Sequence, residues 1–189
     1  MKTMKITFTG ITPLLLHSDR GVNVLDPLVK QLKTFTSKRK KTDDDYLQVA
    51  RLEYELALPV NQKKEPALPT YQIAACIRDG AKKFKQGKTT RSAIFINGDR
   101  GYVPIIYSGP KTVDELFADN RFVDARTVVI SRARVIRTRP VFPDWSLKFT
   151  MDYDNSVFDE DQVKEFLSAA GQYCGIGDYR PEFGRFMIK

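Results

Sequence analysis

Two amphipathic helical segments, 72–85 and 161–174, are each bracketed by stretches that read as strands, and that order constrains the fold more than any other feature. Lys5-Ile6-Thr7-Phe8-Thr9-Gly10-Ile11 alternates apolar and polar residues, the period of a half-buried strand ending at Thr12-Pro13. Ala67-Leu68-Pro69-Thr70 leads into the first helix. Ile73, Ala74, Ile77, Ala81 and Phe84 mark its buried side, and Gly87 is the expected stop. Segments 93–96 and 103–107 flank the turn Asn97-Gly98-Asp99-Arg100-Gly101, as a hairpin or as a pair of sheet edges. Ser146–Tyr153 runs back as a strand. Asp159-Glu160-Asp161 opens the second helix, with Phe166, Leu167 and Ala170 inward, and 185–189 forms a terminal strand. Reduced to essentials this is β-α-β-β-α-β, the order of ferredoxin-like folds in the α+β class.

At 189 residues the chain has the length of one domain, 1–189, with a helical insertion at about 19–66. Within the insertion, Asp26-Pro27 opens a helix through Leu28, Val29, Leu32 and Phe35. Thr42 caps a second, with Asp43, Asp44 and Asp45 in its first turn and Tyr46, Val49, Ala50, Glu53 and Tyr54 along one side. Thr112 to Phe117 reads as a short helical turn. Segments 123–129 and 130–138 are β-like, and a change of parity at Val135-Ile136 predicts a bulge or bend rather than a flat strand.

Charge is distributed unevenly. Residues 1–139 carry 26 Lys/Arg against 14 Asp/Glu, and residues 140–189 carry 5 against 9, so a basic surface facing a polyanion is expected with an acidic one elsewhere. The basic residues gather in three places: Lys38-Arg39-Lys40-Lys41; Lys82, Lys83, Lys85 and Lys88 with Arg91; and Arg132, Arg134, Arg137 and Arg139 with Arg126. Three clusters and a sequence pI near 9.4 put nucleic acid first among polyanions. No apolar run reaches the length of a membrane span, and no basic amphipathic helix with an aromatic face points to a membrane surface. Cys76 and Cys174 lie far apart with no Cys/His cluster. Neither a disulfide scaffold nor a zinc site is expected, and a cytoplasmic location is.

The loop Gly175-Ile176-Gly177-Asp178-Tyr179-Arg180-Pro181-Glu182-Phe183-Gly184-Arg185 joins the second helix to the last strand. Its glycines admit close backbone approach, Arg180 and Arg185 add charge, and Tyr179 and Phe183 offer rings for stacking. It follows a helix and lacks Walker spacing, so a triphosphate loop is not implied. His17, beside Ser18 and Asp19, is the only imidazole and the only weak catalytic candidate. The three aspartates 43–45 read as a helix start rather than a magnesium site, and both cysteines read as core. No metal or other cofactor is expected.

Several of these segments resemble the RAMP superfamily, which includes the guide-RNA-binding backbone subunits of CRISPR effectors. They are the first strand with Thr12-Pro13-Leu14-Leu15-Leu16-His17-Ser18, Leu68-Pro69-Thr70 before helix 73–78, and Gly175-Ile176-Gly177 with Phe183-Gly184-Arg185-Phe186. Over its whole length the chain is also similar to small phage and prophage proteins. The resemblance implies an RRM-like, RAMP-like core, contact of the glycine-rich loop and inserted helices with an RNA backbone, stacking of copies into a filament, and a bacterial host cell. The leading expectation is a non-catalytic, single-stranded nucleic-acid-binding protein, DNA or RNA, that self-assembles along the strand. Phosphates would meet the three basic clusters, and bases would stack on Tyr179 or Phe183. Two other classes are open: a metal-independent endoribonuclease with His17 as general base, and a protein–protein factor such as an inhibitor that mimics a host CRISPR subunit.

Overall fold

The computed structural model describes residues 1–189, the side chain of Ile130 excepted. In chain order the first elements are β1 (Lys2–Gly10), β2 (Leu14–Leu15), α1 (Pro27–Thr36), α2 (Asp43–Ala57), β3 (Ala67–Pro69), α3 (Thr70–Ala81) and α4 (Thr90–Ala93). Then come β4 (Ile94–Asn97), β5 (Tyr102–Ile106), α5 (Val113–Ala118), β6 (Val123–Ile130), β7 (Ala133–Phe142), β8 (Ser146–Tyr153), α6 (Glu160–Ala169) and β9 (Phe186–Ile188). The fold is mixed α+β with two sheets, and the chain divides into two compact units. Unit 1 comprises residues 1–14, 60–108 and 142–189; unit 2 comprises 15–59 and 109–141. The segment read as an insertion thus supplies residues 19–59 to unit 2, and 109–141 joins them there.

Unit 1 is built on β8. Its neighbour on one side is β1, which in turn pairs with β9, all antiparallel. On its other side two short strands share the edge, β4 opposite Thr150–Tyr153 and β5 opposite Ser146 and Leu147. Leu147, Phe149, Met151 and Tyr153 are buried while Lys148 is exposed, the period of 2 expected of a sheet covered on one face. The expected alternative of a hairpin between 93–96 and 103–107 is corrected: these strands do not form a ladder with each other but each finds an edge of β8. The ladders with β8 satisfy their backbone groups, and the tight turn between them closes on one isolated bridge, where the Tyr102 N–H donates to the Asp99 carbonyl at 3.0 Å.

Helices α3 and α6 pack on each other in this unit. Gly80 is the point of closest approach, where a Cβ would run into the backbone of Phe166 and Ala170. Phe186 of β9 is buried, stacked on Phe8 at 3.8 Å between ring centroids, and closes the core. Two details of the first helix differ from expectation. Lys85, at φ 61°, ends the helical segment ahead of Gly87, and Phe84 is 41% exposed rather than buried because it lies in the 3-10 turn after α3. Cys76 is buried, as expected of core, and its thiol donates to the Gly175 carbonyl at 3.1 Å, whereas Cys174 is only half-buried.

Unit 2 starts from capped helices. The Asp26 carboxylate accepts from the Leu28 N–H ahead of Pro27, and Thr42 and Asp45 form a reciprocal capping box. Leu52, Tyr54, Leu56 and Ala57 are the buried face of α2. Tyr46, expected on that side, is 60% exposed because it lies one position past Asp45, the residue in phase with Leu52 and Leu56. Phe117 of α5 meets Tyr54 edge-on, and Arg51 reaches Asp114 at 2.5 Å. β6 and β7 pair without interruption from Val123↔Pro140 to Ile130↔Ala133. The bulge expected at Val135-Ile136 is absent. The change of direction is a two-residue turn instead, with Ser131 and Arg132 at φ 48° and 69°, the sign that two-residue hairpin turns require. Among the described residues no helix is long and apolar enough to cross a membrane.

Candidate nucleic-acid interface

The most concentrated positive charge in unit 1 lies where α3 ends. Arg78 and Lys82 are four residues apart and therefore on one helix face. The left-handed Lys85 reverses the chain, the Gln86 N–H donates back to the Ala81 carbonyl, and α4 then brings Arg91 alongside. The result is an open cleft of about 450 Å³ lined by Arg78, Lys82, Lys85, Gly87, Lys88 and Arg91. Among the described residues no carboxylate lines it. Asp79, next to it, pairs with Lys82 at 2.7 Å and with Arg180 at 3.4 Å. Burial alone would raise the Asp79 carboxyl, but the hydrogen bond and charge of Lys82, with Arg180 behind them, bring it below its ordinary value. Lys83 points elsewhere, its ammonium 3.2 Å from the centroid of the Tyr173 ring.

The clustering of basic residues in the sequence captures four of the five cations at this place. Lys82, Lys85 and Lys88 are brought together, and Arg91, noted beside them, completes one wall. Arg78 lies outside the expected cluster. Its signal is nonetheless present, since a residue four positions before Lys82 on a continuous helix shares its face.

The glycine-rich loop takes positive φ at Gly175, Gly177 and Gly184, and also at Tyr179 with φ 56°. Tyr179 is about half exposed and packs edge-on against Phe183 at 6.1 Å. Arg180 is held by Asp79 and the Gly175 carbonyl, and the Arg185 N–H donates to the Thr12 hydroxyl at 2.9 Å. These residues line or flank a second open cleft in unit 1, beside Asp79 and Cys174. Burial pushes the Cys174 thiol up, and the Cys76 thiol further, so neither is a thiolate at neutral pH.

In unit 2 the arginines that read as one path in the sequence are divided. Cross-strand partners in an antiparallel pair share a face, and alternate pairs take opposite faces. Arg134, opposite Val129, is on one face of the hairpin, while Arg137 and Arg139, opposite Arg126 and Asp124, are on the other, and Arg132 sits in the turn. Arg137 forms an ion pair with Glu53 of α2, whose other oxygen accepts from the Thr138 N–H at 3.1 Å. Arg126 is bound by both oxygens of Asp124. Asp152 and Asp154 are engaged away from these arginines. Asp152 accepts from Thr3 and Asn97, and Asp154 from Ser156. Lys38 is tied to Asp45 at 2.5 Å and holds that carboxyl below its ordinary value, Lys41 donates to the Lys38 carbonyl, and Arg39 and Lys40 are exposed.

His17 is exposed and lines a cleft of about 490 Å³ in unit 2, together with Ser18, Glu53, Arg137 and Arg139 and an apolar floor that includes Leu32 and Leu56. Among the described residues no group of three His, Cys, Asp or Glu side chains is arranged to hold a metal ion. Asp45 completes the capping box with Thr42, and Asp43 and Asp44 lie in the first turn of α2. No protein-family model matches the chain, and no curated protein matches its sequence.

Proposed function

We propose that the chain is a non-catalytic protein that binds single-stranded nucleic acid through the cationic cleft at the end of α3, and that it assembles in copies along the strand. The observation that carries this reading is the convergence of five cations on one concavity whose lining holds no carboxylate among the described residues. Exposed Arg39 and Lys40, and Arg132 and Arg134 at the hairpin tip, are the further phosphate contacts, with Tyr179 and Phe183 as stacking rings. The ferredoxin-like, RAMP-like reading of unit 1 draws support from its strand order. Taking β1, β4, β8 and β9 as the four core strands, the sheet runs β9-β1-β8-β4, with α3 between the first and second and α6 between the third and fourth. A phage or prophage origin and a bacterial cytoplasm belong to the same proposal.

Binding of labelled single-stranded oligonucleotides across a salt series tests it. Affinity should fall by ~0.7 log units per log unit of salt for each phosphate neutralised. Light scattering on long strands should show oligomers that depend on nucleic acid. Absence of binding at low salt, or affinity indifferent to salt, overturns the reading.

A second reading, a metal-independent endoribonuclease, rests on one observation: His17 shares its cleft with Arg137 and Arg139. That places a candidate general base near cations able to stabilise a phosphorane-like anion. RNA cleavage by the parent, lost in His17→Ala, would favour it over simple binding.

A further inference from the structure

We propose that the α3–α4 cleft takes the phosphomonoester at the end of a strand, in preference to the diesters along it; this rests on the nucleic-acid reading above. Two phosphate classes differ in what they ask of a site. A diester carries one negative charge, whereas a terminal phosphate carries about −1.5 to −2 at neutral pH and presents three strong acceptor oxygens. The cleft is built for the denser group. Arg78 and Lys82 approach from the helix, Lys85 from the left-handed turn, and Lys88 and Arg91 from the segment beyond.

Folding alone does not account for that convergence. Several cations elsewhere are each paired with a carboxylate: Arg51 with Asp114, Arg121 with Asp119, Arg137 with Glu53, Lys164 with Glu160. In the cleft only Lys82 has an acidic partner, and Arg78, Lys85, Lys88 and Arg91 form no ion pair among the described residues. Like charges brought together without a counter-charge destabilise the unliganded protein, and a multivalent anion reverses that. The two guanidinium groups add planar, two-pronged donors suited to phosphate, which the ammonium groups supplement as point charges.

Gly87 shapes the floor. A Cβ there would lie 2.6 Å from Lys82 Cγ and 3.2 Å from the Arg78 carbonyl oxygen. The missing side chain is what lets Lys82 fold over the turn, while the Gly87 carbonyl is turned away to accept from the Thr90 hydroxyl at 3.0 Å.

Fluorescence anisotropy with one short single-stranded sequence, prepared with a 5′-phosphate, a 3′-phosphate or hydroxyls at both ends, tests the proposal at near-physiological salt. Pyrophosphate serves as the free-anion competitor. A phosphorylated end should bind about tenfold more tightly than the hydroxyl form, the gain expected of an added charge-assisted hydrogen bond. Arg78→Ala/Arg91→Ala should erase that preference, and should weaken the hydroxyl oligonucleotide by a smaller factor than the phosphorylated one. Should that variant melt early, Lys85→Ala/Lys88→Ala, at two exposed positions, is expected to do the same. Equal affinity of all three oligonucleotides overturns the terminal-phosphate site and leaves the strand-binding reading standing. Binding of none of them overturns both, and if pyrophosphate alone binds, the cleft belongs to a free phosphate. A preference that survives both double variants places the end elsewhere and overturns the assignment.

Discussion

At the corner between α3 and α4, Arg78, Lys85, Lys88 and Arg91 face one cleft with no ion-pair partner among the described residues. In the β6–β7 hairpin, by contrast, Arg126 is held by Asp124 and Arg137 by Glu53. The two regions have similar densities of basic residues in sequence. A helix followed by a tight reversal gathers side chains four residues apart and folds the next segment back over them. A hairpin sends alternate side chains to opposite faces, where each cation meets a different neighbour. A run of arginines on a strand is therefore weaker grounds for a polyanion surface than a set of lysines at a helix end. Only the hairpin tip, Arg132 and Arg134, escapes this rule.

The largest expected effect comes from breaking the scaffold under the cleft while leaving its charges in place. Phe186→Ala removes a buried ring that stacks on Phe8, and should cost about 3–5 kcal/mol in urea unfolding. If unit 1 carries the binding, affinity should collapse once this variant unfolds. Binding that persisted above that midpoint, with an unchanged salt slope, would move the interface to the hairpin.

Glu53→Ala turns the comparison around, because it makes the hairpin resemble the cleft. It leaves the Thr138 N–H without its acceptor and Arg137 without its carboxylate, for a loss of about 1–3 kcal/mol. The freed guanidinium should steepen the salt dependence of binding by up to ~0.7. A variant less stable but no steeper would mean that no strand passes near Arg137.

Two double variants separate the regions more finely. Lys85→Ala/Lys88→Ala should flatten the salt slope by up to about 1.4, or ~0.7 for each phosphate that is no longer neutralised. Arg126→Ala/Arg137→Ala should leave it where it was, since both side chains are already neutralised. The reverse result would assign the phosphates to the hairpin.

The smallest effect is in pH. Asp79 titrates below its ordinary value of 3.8 in the folded chain, so its ionised form favours folding. That contribution is complete above about 3.8 and disappears as pH falls through the lowered folded value. Asp79→Asn should therefore melt earlier than the parent at neutral pH, with the gap closing in strong acid. A gap that stays constant from neutral to acid pH would show that the ion pairs with Lys82 and Arg180 contribute nothing.

Much of the scaffold is legible in the residues themselves. Thr42 with Asp45, and Asp159 with Gln162, are capping boxes written within four positions, and the alternation of 147–153 states which face is covered. Strand–helix–strand order around α3 and α6 can be read in the same way. These features are accessible because the groups that make them are neighbours along the chain, and their energetics repeat in any protein. Where the two short strands 94–97 and 102–106 pair cannot be read, since both satisfy the same pattern as a hairpin and the choice belongs to β8.

The candidate site divides along the same line. Sequence alone establishes that the chain is basic in its first 139 residues, and that Lys82, Lys85 and Lys88 lie close together. It does not say which cations are available. Glu53 claims Arg137 from 84 positions away, and Asp79 meets Arg180 across 101. Arg78 and Arg91 reach one cleft only because Lys85 takes a left-handed turn between them. A charge is fixed by the residue that bears it, but its neutralisation depends on what the fold brings within a few ångströms, and that distance exists only in the tertiary structure.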